Sequence, residues 1–122
     1  MNLLIVDDSS MMRAMIRRAV GLSGVPVADV FEAGDGAAAL AVLEARRVDV
    51  LMTDLNMPVM TGWELLGEIA RLGRWPDLAC VVISSDGSVQ RRSEVETYNV
   101  RHYLAKPLNP EVIRDVLHDC AV

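Results

Sequence analysis

Residues 3–8 read Leu3-Leu4-Ile5-Val6-Asp7-Asp8, four consecutive apolar residues that run straight into two acids. A run this short and this apolar, bounded by polar residues, is the pattern of a strand buried on both faces. Three more runs end in a similar way. Val48 to Thr53 leads into Asp54, Cys80-Val81-Val82-Ile83 into Ser84-Ser85, and Tyr103-Leu104-Ala105 into Lys106-Pro107. In an open parallel sheet, ligands bind in the crevice beyond the carboxyl ends of the strands. If these runs are parallel strands, three carboxylates, a hydroxyl and an amine meet on one small surface.

Segments of helical period separate the runs. Ser9 or Ser10 caps a helix to about Leu22 whose inward face carries Met12, Met15, Ile16 and Ala19, and Gly24 and Pro26 break it. Residues 28–33 form a less apolar strand nearer an edge, and Gly34-Asp35-Gly36 turns into an alanine-rich helix through about Arg46. After the strand at 48–53, the loop 55–61 leads to Gly62 and a helix to about Leu72, which Gly73 and Pro76 end. Strands are expected over 78–83 and 101–105, with a fourth helix over 88–98 between them. That helix offers only Val89, Val95 and Tyr98 as apolar anchors, which predicts low local stability. Asn109 caps the last helix, with Val112, Ile113, Val116, Leu117 and Cys120 as its apolar stripe. The pattern is βα repeated five times. Right-handed crossovers place helices on both faces of a parallel sheet, and the expected fold is α/β, a doubly wound, flavodoxin-like (βα)5 sheet of order 2-1-3-4-5.

Composition narrows the function. With 122 residues, 52% apolar and 24% charged, the chain fits one globular domain over residues 1–122. A net charge of −5 argues against nucleic acid as a main partner, because no basic face can be assembled. No run approaches the roughly 18 apolar residues of a membrane span, and the acids at Asp7-Asp8 interrupt the opening too early for a signal peptide. Cys80 and Cys120 lack any metal-ligand spacing, and Cys80 sits in an apolar run where free cysteine acts as a small hydrophobe. A disulfide is not expected, and a reducing cytoplasm is. Lys106 is the sole lysine among twelve basic residues, placed at a strand end directly before a proline. Its ammonium is a compact point charge suited to a single oxygen, unlike the planar fork of arginine.

The carboxylates suit magnesium and phosphoryl chemistry. Mg²⁺ takes oxygen ligands, usually one or two carboxylates with waters and phosphate oxygens. Asp8 and Asp54 at adjacent strand ends supply two, Asp7 lies just behind, and the backbone carbonyl of Asn56 completes the protein's share. A carboxylate can also attack phosphorus to give an acyl phosphate. Asp54 is the expected nucleophile because the third strand is central in the 2-1-3-4-5 order. Phosphoryl transfer needs positioning and charge neutralisation on the equatorial oxygens, with metal on one, Lys106 on a second and Ser84 on a third.

Together, Asp7-Asp8, Asp54 followed by Asn56-Met57-Pro58 and Gly62, Ser84 and Lys106-Pro107 resemble the receiver domain of two-component response regulators, in its standalone, CheY-like form. The order and spacing cover essentially the whole chain. The resemblance implies that a histidine kinase passes its phosphoryl group to Asp54 with Mg²⁺ required, that Lys106 and Ser84 bind the phosphate, and that Tyr103 rotates inward behind Ser84. It implies a cis peptide before Pro107 and an output face built from the fourth helix, fifth strand and fifth helix. Asn56 and Asp86 take the positions that tune dephosphorylation in the family, which predicts a short-lived phosphate. Met1 and the short tail predict a standalone module, monomeric when unphosphorylated, whose output is binding to a downstream effector protein, with chemotaxis as one setting; a receiver cut from a longer regulator is the alternative. Ser88 and Val89 depart from the basic start of the fourth helix found in enteric chemotaxis receivers.

Two other classes compete. An aspartyl phosphatase of the haloacid dehalogenase type wants a second acid two residues after its nucleophile, where this chain has Asn56. A flavin-binding protein of the same fold wants phosphate-cradling glycines after the first strand, where Asp7-Asp8-Ser9-Ser10-Met11 offers acid instead.

Overall fold

The computed structural model describes residues 1–85, 98, 100–106 and 108–121. Asp86, Pro107 and the segment expected to form the fourth helix, Tyr98 apart, lie outside the described residues. Five strands, β1 (Asn2–Val6), β2 (Asp29–Ala33), β3 (Val50–Thr53), β4 (Ala79–Ser84) and β5 (His102–Ala105), form one parallel sheet in the order β2-β1-β3-β4-β5. Helices α1 (Ser10–Ser23), α2 (Gly36–Ala45) and α3 (Gly62–Leu72) and the C-terminal helix (Pro110–Cys120) cover its two faces.

Alternation along the central strands explains why their sequences read as unbroken apolar runs. Side chains of successive strand residues point to opposite faces. Leu3, Ile5, Met52, Val81 and Ile83 pack on one side against Ile16, Val20, Ile113 and Leu117 of α1 and the C-terminal helix. Leu4, Val6, Leu51, Cys80 and Val82 pack on the other against Ala39, Leu43, Leu65 and Leu66 of α2 and α3. Each fully buried Leu, Ile or Val contributes about 1.5–3 kcal/mol, so a single charge at Leu51 would break both the strand and its packing. β2 has polar residues exposed at Asp29 and Glu32, as suits the sheet edge.

Local signals set the helix ends. Ser9 caps α1, accepting the Met12 N–H at 3.1 Å, and Gly24 ends it at φ 77°. Asp35 caps α2 in the same way through the Ala38 N–H at 2.8 Å. Thr61 and Glu64 form a reciprocal capping box at the start of α3, satisfying two amides that the helix leaves without partners.

Two expected core residues face outward. Met15 is 53% exposed, because the buried row of α1 is Ile16, Ala19 and Val20, and Met15 sits one step, about 100°, round the helix from it. Val112 is likewise displaced from the buried row Ile113, Val116 and Leu117. β3 begins at Val50 rather than Val48; just before it, Asp49 is held to β1 by its backbone N–H, which donates to the Asn2 carbonyl at 2.9 Å, and by its side chain, which accepts the Asn2 N–H at 2.7 Å. Cys80 and Cys120 are both free thiols. Among the described residues, no helix is long and apolar enough to cross a membrane.

Candidate functional site

The register of the sheet assembles the site. Val6 of β1 pairs with Thr53 of β3, so Asp7 and Asp54, one residue further on, emerge side by side. The Asp54 N–H donates to the Val6 carbonyl at 3.0 Å, and the Asp7 N–H to the Ala33 carbonyl at 3.1 Å, which extends the ladder to the carboxylates themselves. Ser84 pairs with Ala105, and the Lys106 N–H donates to the Ser84 carbonyl at 2.9 Å. Lys106 therefore leaves β5 beside Ser84 and reaches back across the strand ends.

Asp7, Asp8 and Asp54 each place a carboxylate oxygen within 4.8 Å of the other two. Their environments differ. Asp7 is only 2% exposed, and its charge is compensated locally: Oδ1 accepts the Ser9 N–H at 2.9 Å and Oδ2 the Lys106 ammonium at 3.1 Å. Asp8 is exposed to solvent. Asp54 is half-buried, with Oδ1 accepting the Leu55 N–H at 2.7 Å and Oδ2 lying 3.4 Å from Lys106 Nζ. A buried carboxylate without such partners would be strongly disfavoured. The donor set fits a hard divalent cation: three clustered oxygens, one of them open to water, and no sulfur or imidazole.

Ser84, Asn56 and Tyr103 are the other expected residues that the structure describes. Ser84 is fully buried at the end of β4. Asn56 is exposed in the loop, two positions after Asp54. Tyr103 is half-buried on β5, opposite Val82, against the α3 side of the core. Asp86 lies outside the described residues.

Three features have structural roles that the sequence does not state, although Gly62 stands in the motif that follows Asp54. Arg13 donates Nη1 to the Asp7 backbone carbonyl at 2.6 Å and Nε to Glu32 at 3.0 Å, bracing the acidic turn from α1. Gly62 sits where a Cβ would collide with the Asp54 carbonyl oxygen and with Leu55 Cα at 2.7 Å, so the start of α3 presses directly on the β3–α3 turn. Val59 adopts φ 66°, a left-handed conformation costly for a β-branched residue. Arg13 is one of several helical arginines, and the other two depend on backbone approach, which composition does not encode.

Residues 3–118 match the model of the response regulator receiver domain. A CheY homologue from Campylobacter jejuni is 34% identical over 120 residues, spanning 98% of this chain and 91% of that protein. The chemotaxis protein CheY1 of Helicobacter pylori is 35% identical over 118 residues, spanning 96% and 94%. Among solved structures, the chemotaxis response regulator CheY4 of Vibrio cholerae superposes with a TM-score of 0.84 at 30% identity, covering 98% of this chain and 97% of that one.

Proposed function

The chain belongs to the response regulator receiver-domain family, homologous to CheY chemotaxis regulators and so a phosphorylation-activated signalling switch, and from that premise we propose that Asp54 is its phosphoacceptor. The observation that carries the assignment is the shared position of Asp54 beside both other carboxylates and the Lys106 ammonium. In the proposed transfer, an Asp54 carboxylate oxygen attacks the phosphorus of a phosphohistidine on a histidine kinase. The P–N bond breaks, the P–O bond forms, and the imidazole leaves with its electron pair and takes up a proton.

Asp7, Asp8, Asp54 and the Asn56 backbone carbonyl would hold Mg²⁺. When bound, the ion offsets negative charge on the phosphoryl oxygens. Lys106 already lies at 3.4 Å from Asp54, and loss of charge on that carboxylate frees the ammonium to take a phosphoryl oxygen. The Ser84 hydroxyl would take another, and Tyr103 would follow it inward. The output is a two-state element: moving it from 1:99 to 99:1 takes about 5.5 kcal/mol, within reach of a few charge-assisted hydrogen bonds.

On this reading residues 1–122 form one receiver domain that promotes its own phosphorylation and dephosphorylation in the cytoplasm and is monomeric when unphosphorylated. Its partners are a histidine kinase and a downstream protein that reads the face formed by the segment before β5, β5 and the C-terminal helix, with chemotaxis as the pathway its relatives suggest. Asn56 and Asp86 would orient the hydrolytic water and keep the phosphate short-lived, so a half-life of hours would contradict that part.

The deciding experiment is intact mass after incubation with acetyl phosphate or phosphoramidate and Mg²⁺, for wild type and Asp54→Asn. A Mg²⁺-dependent, hydroxylamine-labile adduct in wild type alone supports the assignment. An adduct surviving in Asp54→Asn moves the acceptor to another carboxylate. No adduct despite Mg²⁺ binding would indicate a scaffold that has lost the chemistry.

A further inference from the structure

A second constellation lies at the other end of the sheet. His102 opens β5, and Asp119 and Cys120 sit in the last turn of the C-terminal helix. The helix packs on the sheet face that also receives Leu104, so residues of the same β5 parity point toward it. The His102 ring, the Asp119 carboxylate and the Cys120 sulfur each offer a ligand atom, and these atoms all lie within 4.8 Å of one another. His102 Nε2 is 2.7 Å from Asp119 Oδ2.

From this juxtaposition we propose that His102, Asp119 and Cys120 form a binding site for a thiophilic divalent metal ion of the Zn²⁺ type, separate from the acidic phosphoacceptor cluster. The donor chemistry separates the two sites. Imidazole and thiolate select Zn²⁺ or Co²⁺, whereas an all-carboxylate cluster suits Mg²⁺. Nitrogen, oxygen and sulfur at bond lengths of about 2.0–2.3 Å meet the usual requirement for tetrahedral zinc, with water as the fourth ligand. Ligand atoms in such a shell stand roughly 3.3–3.8 Å apart, so the three atoms, now within 4.8 Å of one another, reach it by side-chain adjustment in which the His102–Asp119 pair opens from 2.7 Å.

Access and competition both favour binding. His102 and Asp119 keep 30% and 52% of their side chains exposed, so an ion enters from solvent. Asp119 is now shared between His102 and the Arg101 guanidinium, whose Nε lies 3.4 Å away. Exposed ion pairs of this kind contribute little to stability, and Arg101 is free to swing outward. His102 binds through Nε2 with its proton on Nδ1, and the Cys120 thiol releases its proton to solvent as the metal–sulfur bond forms. The bound ion would clip the end of the helix to the start of β5. Lys106 lies past the far end of that strand, about 13 Å along it.

The test is a Co²⁺ titration of the metal-stripped chain in excess Mg²⁺, which occupies hard carboxylate sites. A sulfur-to-cobalt charge-transfer band is expected, saturating at one Co²⁺ per chain and abolished by stoichiometric Zn²⁺. Cys120→Ser should remove the band, and His102→Gln should weaken Co²⁺ binding roughly tenfold or more. Cys80→Ala should leave both unchanged, because Cys80 is buried in the opposite core. Far-UV circular dichroism of each variant confirms that the fold is kept. Absence of the band in wild type, its survival in Cys120→Ser, or unchanged affinity in His102→Gln would overturn the proposal.

Discussion

Lys106 Nζ stands 3.1 Å from Asp7 Oδ2, joining residues 99 positions apart in the chain. The pair is enclosed: the lysine side chain keeps 16% of its surface and the aspartate 3%. The same ammonium lies 3.4 Å from Asp54, so one cation balances two carboxylates of the site.

Replacing Lys106 with methionine therefore has two expected effects. Without Mg²⁺ the buried Asp7 carboxylate loses its charged partner, which should cost about 3 kcal/mol in urea unfolding. The more negative cluster should then bind Mg²⁺ about fivefold more tightly, ~1 kcal/mol, by isothermal titration calorimetry. Saturating Mg²⁺ should restore part of the lost stability. Unchanged Mg²⁺ affinity would show that the ion does not sit beside Lys106.

Gly62→Ala should be disproportionately harmful for a single methyl. The new Cβ meets backbone atoms of Asp54 and Leu55 that cannot rotate away, and the Gly62 N–H is bonded to the Leu55 carbonyl at 3.0 Å. A loss near the upper end of the overpacking range, about 3 kcal/mol, is expected in equilibrium unfolding. Phosphorylation of the folded fraction should also slow, because relief requires the Asp54 turn to move. Wild-type stability in this variant would contradict the close approach.

Val59 offers the opposite case. The residue is 83% exposed and gains little from packing, yet its backbone holds φ 66°. Asparagine tolerates that region, so Val59→Asn should stabilise the chain by ~1 kcal/mol, raising Tm by about 4 °C. Calorimetry would show it, and a lower Tm would mean that the loop relies on the valine.

Cys80 should leave a mark at high pH. Burial pushes its thiol from near 9.0 up to about 12, with Cys120 adding a smaller push in the same direction. The folded state then holds a proton that the unfolded chain releases, so this contribution to stability is complete below the unfolded pKa and is lost as pH rises through the window from 9.0 to about 12. The slope from this group approaches 1.4 kcal/mol per pH unit inside that window. Cys80→Ala should flatten the decline of unfolding free energy above pH 9, and an unchanged slope would contradict the thiol's role.

Much of the fold was legible because the central strands are buried on both faces. Leu3 to Val6 and Val81 to Ile83 read as continuous apolar runs because the parallel sheet is covered on both faces, and the caps Ser9 and Asn109 act within one helical turn, whereas Asp35 and Thr61 showed as caps only in the structure. Met15 and Val112 were misplaced for a related reason. An apolar residue one step from the buried row looks the same in sequence, and the packing angle of the helix chooses between them.

At the site, local sequence determined which chemical groups stand at the strand ends: Asp7, Asp8, Asp54, Ser84 and Lys106. Tertiary structure decided how they are used. It buried Asp7 and left Asp8 in water, stretched Lys106 over Asp7 and Asp54, and pressed Gly62 onto the Asp54 turn. It also brought His102 to Asp119 and Cys120, a meeting that no spacing announces. The physical reason is range. Strand and cap preferences act over a few residues, whereas charge pairing and backbone approach at this site depend on the register of β1, β3, β4 and β5, which only the closed core can set.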